Sequence, residues 1–76
     1  MSTANIQRLQ QIFREVFDDS SLVISPAFSP ADHSAWDSIA MVQIVLATEQ
    51  EFGVRFPMET VAEIKSVEHI LLALPQ

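Results

Sequence analysis

One predicted helix constrains the fold more than any other feature, because its pattern is apolar on two sides. Asp37 has the side chain of an N-cap, and helical periodicity continues from it to about Phe52. One stripe of this helix has the spacing of a core face: Met41, Ile44, Val45, Thr48 and Phe52. A second apolar row on roughly the opposite side consists of Ile39, Val42 and Leu46.

Two apolar sides are more than a chain this short can readily bury. Its 76 residues form one small domain, which buries about 60% of the surface of the unfolded chain. The row Ile39, Val42 and Leu46 is therefore interpreted as a surface kept for a partner. The alternative is a helix buried twice, between a long loop and the rest of the protein.

The remaining periodicity predicts three more helices. The first begins after Ser2 or Thr3, either of which can cap it, ends at residues 18–21, and has a core stripe of Ile6, Leu9, Phe13, Val16 and Phe17. Gly53 is placed to end the central helix, and Pro57 to open a short helix through about Glu63 that buries Val61 and Ile64. Ser66 is expected to cap the last helix, which Pro75 stops and whose core positions are Val67, Ile70, Leu71 and Leu74.

The segment from Asp18 to Trp36 has no helical period and contains Pro26 and Pro30. Its apolar residues are expected to lie against the helices: Leu22, Val23, Ile24 and Phe28. Within it, Ser29 and Pro30 favour a single helical turn ending near residue 32. The prediction is an all-α protein: a small four-helix bundle with three main helices, one short third helix and a long first loop, in one domain over residues 1–76.

Composition narrows the classes of function. A net charge of −6 argues against nucleic acid and anionic membranes and favours basic partners. Because the chain has no Cys, any thiol chemistry must arrive on a cofactor. Residues 1–10 lack the apolar core of a signal peptide, and the longest apolar run, Ile70 to Leu74, is too short to cross a bilayer. We expect a cytoplasmic monomer, and the start at Met1 favours a free-standing protein over a piece of a larger synthase.

The segment Trp36-Asp37-Ser38-Ile39, followed by a helix ending Glu49-Gln50-Glu51-Phe52-Gly53, resembles acyl carrier proteins and peptidyl carrier domains. The resemblance continues through Phe56-Pro57 and Ile64-Lys65-Ser66-Val67 to Leu74, and so covers nearly the whole chain. It implies that Ser38, with Asp37 as cap and motif partner, carries a 4′-phosphopantetheine arm whose thiol holds acyl or aminoacyl cargo. The implied partners are a phosphopantetheinyl transferase, an acyl or aminoacyl ligase, and downstream transferase or synthase enzymes. Such a carrier is not an enzyme.

Carriers of this family meet their enzymes through this helix and the loop before it. The resemblance thus implies a docking surface that includes Trp36, Ile39, Val42, Gln43 and Leu46. Fatty-acid carriers have acidic residues along the exposed side of the helix, where this chain has Ala40, Gln43 and Gln50, with Glu49 and Glu51 as the main charges. Partner choice is therefore expected to depend more on apolar fit than on electrostatic steering. Trp36 either packs over the loop or contributes to recognition, and Trp-Asp-Ser resembles discrete carriers of specialised polyketide, nonribosomal-peptide or aminoacyl-loading pathways.

Other interpretations remain open at the level of sequence. Asp37 and Ser38 begin a helix whether or not Ser38 is modified. The apolar row would equally serve a non-catalytic interaction module that binds a partner helix. Asp32, His33 and Ser38 are too little for a hydrolase without an oxyanion hole and a dry pocket, and His33 and His69 lack the spacing of metal ligands, so no metal is expected.

Overall fold

The computed structural model describes residues 3–74, and all regular structure within that range is helical. Four α-helices follow one another along the chain: α1 (Thr3–Val16), α2 (Ser38–Phe52), α3 (Met58–Glu63) and α4 (Val67–Ala73). A single 3-10 turn, Pro30–Asp32, interrupts the long connection between α1 and α2. The predicted architecture, with a short third helix and a long first loop, is confirmed.

Helix α1 buries a wider face than the predicted stripe. Leu9 and Phe13 are completely buried, while Ile6, Val16 and Phe17 pack against the core and keep part of their surface exposed. Ile12 lies outside the predicted stripe but is buried as well. Positions 9, 12, 13 and 16 share one face of a helix, so the apolar face of α1 is broad rather than a narrow line.

Helix α2 begins and ends where the sequence predicts. The carboxylate of Asp37 accepts a hydrogen bond from the Ala40 N–H at 2.8 Å, which satisfies a free donor of the first turn. Gly53 follows the last turn with φ +66°, a left-handed conformation that costs glycine little. The buried residues of α2 are Ala40, Ile44, Val45 and Thr48, while Met41 and Phe52 are half-buried. Ala40 was expected on the exposed side, and its burial corrects that prediction.

The first loop packs against the helices through alternate residues. Leu22 and Ile24 are buried, and Phe28 is half-buried, as predicted. Val23 was expected to join them but is 72% exposed, because successive side chains of an extended segment point to opposite sides. Two side chains of α1 hold this segment: Arg14 donates to the Leu22 carbonyl at 2.6 Å, and Gln10 accepts from the Ile24 N–H at 3.0 Å.

The loop also supplies the N-terminal cap of α4. The N–H of Val67 donates to the Phe28 carbonyl and that of Glu68 to the Pro26 carbonyl, both at 2.9 Å. Ser66 does precede α4, but its side chain makes no capping hydrogen bond, which corrects the prediction of a serine cap. Backbone carbonyls of the loop already satisfy these first-turn donors. The predicted core positions of α4, namely Val67, Ile70, Leu71 and Leu74, are all buried.

Helix α3 is the least buried of the four. None of its residues Met58–Glu63 is buried, although Val61 is half-buried and Ile64, just after its end, is buried. It starts at Met58, one residue later than predicted, with Pro57 at the N-cap position. The predictions for Ser2, for the Thr3 side chain and for Pro75 lie outside the described residues.

Candidate functional site

Ser38 occupies the first position of α2 and is exposed to solvent. No hydrogen bond from another described residue, within 3–74, holds its hydroxyl. The preceding Asp37 fixes the helix start twice, because its carboxylate accepts from Ala40 and its carbonyl accepts from the Met41 N–H at 2.9 Å. The arrangement presents an unhindered hydroxyl on a rigid helix end, at the positive end of the helix dipole. That is what a residue that accepts a phosphate ester needs.

The predicted partner row lies on the surface of α2. Ile39, Val42 and Leu46 are 71%, 57% and 54% exposed, and Gln43 beside them is exposed too. The opposite face of the same helix is buried through Ile44, Val45 and Thr48. The helix is therefore not buried on both sides, and its apolar row starts directly beside Ser38.

Trp36, predicted as a docking residue, is buried instead. It is only 4% exposed, with the ring of Phe13 edge-on at 5.1 Å and that of Phe28 stacked at 5.7 Å. An indole is large enough to join loop and helices into one aromatic cluster, and this burial removes its ring from the docking surface. Its packing role was the alternative left open by the sequence.

An open groove of about 330 Å³ adjoins Ser38. It is lined by residues of the first loop, of α2, of α3 and of the segment after α3: Pro30, Trp36, Asp37, Ser38, Met41, Val61 and Ile64. The sequence does not predict this groove as a unit. It forms only because the first loop and α3 meet beside the start of α2, and no periodicity in one segment signals such a meeting.

The carboxylates of α2 are engaged within the protein. Glu49 accepts a hydrogen bond from the Phe56 N–H at 2.7 Å and thereby fixes the link that follows the helix. Glu51 accepts from Arg8 Nε at 3.0 Å, and the same guanidinium lies 4.1 Å from the centre of the Phe52 ring. The exposed row of α2 consequently has apolar and amide side chains rather than free carboxylates.

The residues considered for a hydrolase or a metal site have structural partners. Asp32 accepts from the Ser29 N–H at 2.9 Å, and His33 Nδ1 accepts from the Ala35 N–H at 3.1 Å. His69, in α4, accepts at its Nδ1 a hydrogen bond of 2.8 Å from the N–H of Lys65, which lies just before that helix. Across residues 3–74 there is no group of three His, Cys, Asp or Glu side chains able to hold a metal. The helices described in that same range include none that is long and apolar enough to cross a membrane.

Comparisons with known proteins identify this arrangement. The sequence matches the family described as "Phosphopantetheine attachment site" over residues 7–74. It is 37% identical over 59 residues to an acyl carrier protein of Acidothermus cellulolyticus, covering 78% of this chain and 70% of that protein. A meromycolate extension acyl carrier protein of Mycolicibacterium smegmatis is 32% identical over 66 residues, covering 87% of this chain and 67% of that protein.

The fold gives the same result. The solution NMR structure of a holo acyl carrier protein from Geobacter metallireducens superposes with a TM-score of 0.79 and 31% identity, covering 86% of this chain and 75% of that one. Members of this family are non-catalytic carriers with a covalent 4′-phosphopantetheine, and they work with phosphopantetheinyl transferases and acyl-handling enzymes. The exposed Ser38 hydroxyl suits such an attachment. This all-helical chain belongs to the phosphopantetheine-binding acyl carrier protein family.

Proposed function

We propose that Ser38 is the residue that carries the 4′-phosphopantetheine arm. The observation that carries the proposal is its exposed, unpartnered hydroxyl at the first position of a capped helix. In the loading step, the Ser38 oxygen attacks the phosphorus that bears the pantetheine in coenzyme A. A phosphodiester forms, the bond to the nucleotide phosphate breaks, and the serine proton passes to a base of the transferase. The carrier only has to present the hydroxyl.

The loaded arm then tethers an acyl or aminoacyl group as a thioester and presents it to successive enzymes. Tethering makes each encounter with a docked active site effectively intramolecular, which raises the local concentration of the cargo. The row Ile39, Val42 and Leu46, with Gln43, is the docking surface in this proposal. Its position next to Ser38 lets a partner bind the carrier and reach the arm at the same time.

The proposal includes a discrete, monomeric, single-domain carrier of the cytoplasm that serves a specialised biosynthetic pathway. Similarity to a meromycolate extension acyl carrier protein supports a specialised role, as does the Trp36-Asp37-Ser38 sequence. The partners in the proposal are a phosphopantetheinyl transferase, an acyl or aminoacyl ligase, and downstream transferase or synthase enzymes.

Intact mass spectrometry tests the attachment. Unmodified protein is incubated with coenzyme A, Mg²⁺ and a promiscuous phosphopantetheinyl transferase, and the wild type is expected to gain one phosphopantetheine. Ser38→Ala should gain nothing while keeping its fold, because the Asp37 cap remains. Ser34→Ala is the matched control, since Ser34 is another exposed serine four residues earlier, and it should load like the wild type.

The same experiment separates the carrier from its rival. Loading of Ser38→Ala, or no loading of the folded wild type by several transferases, would contradict Ser38 as the attachment residue. The second of these results would favour a non-catalytic interaction module, because the exposed apolar row on α2 could still bind a partner helix.

A further inference from the structure

Trp36 has a hydrogen-bond donor that nothing in its surroundings uses. Its Nε1 is the one buried side-chain nitrogen or oxygen without a hydrogen-bond partner within the part of the chain that the structure describes. The flanking rings of Phe13 and Phe28 provide apolar contact, and an aromatic face is at most a weak acceptor. A buried unpaired donor costs free energy that phenylalanine, with similar packing and no donor, would avoid. The indole N–H therefore calls for an explanation other than packing.

Trp36 also lines the groove beside Ser38, and the chemistry of that groove selects the acceptor. Met41, Val61 and Ile64 give it a wall without donors or acceptors of useful strength. The carboxylate of Asp37 stands at the Ser38 end, where its charge disfavours a second anion. An acceptor that suits an apolar wall near a carboxylate is neutral, and a carbonyl oxygen has these properties.

Access to the N–H requires movement of a groove wall, because Nε1 has almost no contact with solvent in this structure. Helix α3 lines the groove through Val61 and has no buried residue, and elements with few buried contacts open most easily. Met41, which also lines the groove, is half-buried and has three rotatable bonds. Displacement of α3 and of the Met41 side chain would widen the groove beside Trp36.

We infer that Trp36 is a positioning residue whose indole N–H donates a hydrogen bond to a carbonyl oxygen of the group tethered on Ser38. This inference rests on the proposed attachment at Ser38. The carbonyl has three sources: an amide of the pantetheine arm, the thioester that joins the cargo to the arm, or a ketone of the cargo. In each case the tethered group is held against the groove between encounters with enzymes.

The indole itself is the probe, because Trp36 is the only tryptophan of the chain. The ¹H–¹⁵N resonance of its side chain is recorded in four forms of the protein: apo, holo, butyryl-loaded and acetoacetyl-loaded. The last two cargoes have the same carbon chain and differ by one ketone. We expect a downfield shift of the indole proton and about fivefold slower exchange with solvent, the factor supplied by one neutral hydrogen bond.

The form in which the change first occurs identifies the acceptor. A change from apo to holo assigns an amide of the arm, and a change that first occurs on butyryl loading assigns the thioester carbonyl. A change only between butyryl and acetoacetyl assigns the ketone of the cargo. An indole resonance that is identical in all four forms, or that moves upfield with faster exchange, overturns the inference. Intact mass of every sample shows whether loading took place, so failure of the attachment at Ser38 is seen separately as absence of a mass gain.

Trp36→Phe supplies a second readout. It keeps an aromatic ring in the cluster and removes only the donor and part of the volume. In the wild type, the form that gains the hydrogen bond should unfold at a higher temperature than the apo form. In Trp36→Phe that difference should disappear, and its persistence would overturn the inference. Should this variant fail to fold, the four wild-type spectra remain decisive.

Discussion

Ile39 and Ile44 offer a matched test of the proposed docking surface. They are the same residue type in the same helix, yet Ile39 is 71% exposed and Ile44 is completely buried. Ile44→Ala leaves a cavity in the core and should cost about 2–5 kcal/mol of unfolding free energy. At about 4–8 °C per kcal/mol in a small domain, its Tm should fall by at least about 8 °C.

Ile39→Ala should behave differently in both stability and function. Most of its side chain already faces water, and alanine favours the helix, so the unfolding free energy should change by less than about 0.5 kcal/mol. Truncation of an apolar contact at the centre of an interface costs on the order of 1 kcal/mol or more. We therefore expect kcat/KM for loading by the phosphopantetheinyl transferase to fall about fivefold.

The assays are thermal unfolding followed by circular dichroism, and the initial rate of loading followed by intact mass at a temperature where every variant is folded. Ile44→Val and Ile39→Val repeat the comparison with smaller cavities if Ile44→Ala does not fold. A similar loss of Tm in Ile39→Ala and Ile44→Ala would show that the row belongs to the core. Unchanged loading of Ile39→Ala would show that the transferase does not contact it.

Two further predictions concern the N-cap of α2 and a carboxylate of the first loop. Asp37→Ala should lower the unfolding free energy by about 1 kcal/mol, because the Ala40 N–H loses its acceptor. Asp37→Asn keeps a capping side chain and should be more stable than Asp37→Ala. Equal stability of the two variants in thermal unfolding would contradict the role of Asp37 as the cap. The Ser21 hydroxyl, which donates to Asp19 at 2.7 Å, holds the pKa of Asp19 below its ordinary value. This contribution to stability is present above the ordinary pKa of an aspartate and disappears as pH falls through the lowered pKa. An NMR titration should show the Asp19 pKa rising in Ser21→Ala, and an unchanged pKa would exclude that cause.

Much of the fold could be predicted because each helix has its own signal. The Asp37 cap and the Gly53 stop act through their own backbone neighbourhood, so one sequence position is enough to identify them. The spacing of Ile39, Val42 and Leu46 likewise determines that they share a side of α2, and the burial of Ile44 determines which side is exposed.

What the sequence could not predict depends on contacts between distant segments. Ser66 is a good capping residue, but whether it caps depends on the carbonyls of Pro26 and Phe28, about forty residues earlier, which reach the same donors first. Trp36 precedes Asp37 and Ser38, and the sequence left open whether it packs over the loop or contributes to a docking surface, whereas in the structure it packs against Phe13 and Phe28. Tertiary packing determines this burial, and the residues next to position 36 in the sequence do not predict it.

The engaged carboxylates of α2 bear on how partners are chosen. A net charge of −6 gives the whole protein a field that attracts basic surfaces at long range and weakens with salt. The two carboxylates of α2, the helix that has the proposed docking row, are however already bonded: Glu49 accepts from the Phe56 N–H and Glu51 from Arg8. Long-range charge can then raise the rate of encounter, while affinity and discrimination depend on the apolar contacts of Ile39, Val42 and Leu46. Because contacts of this kind are little affected by salt, the dissociation rate of a partner should depend on ionic strength much less than its association rate.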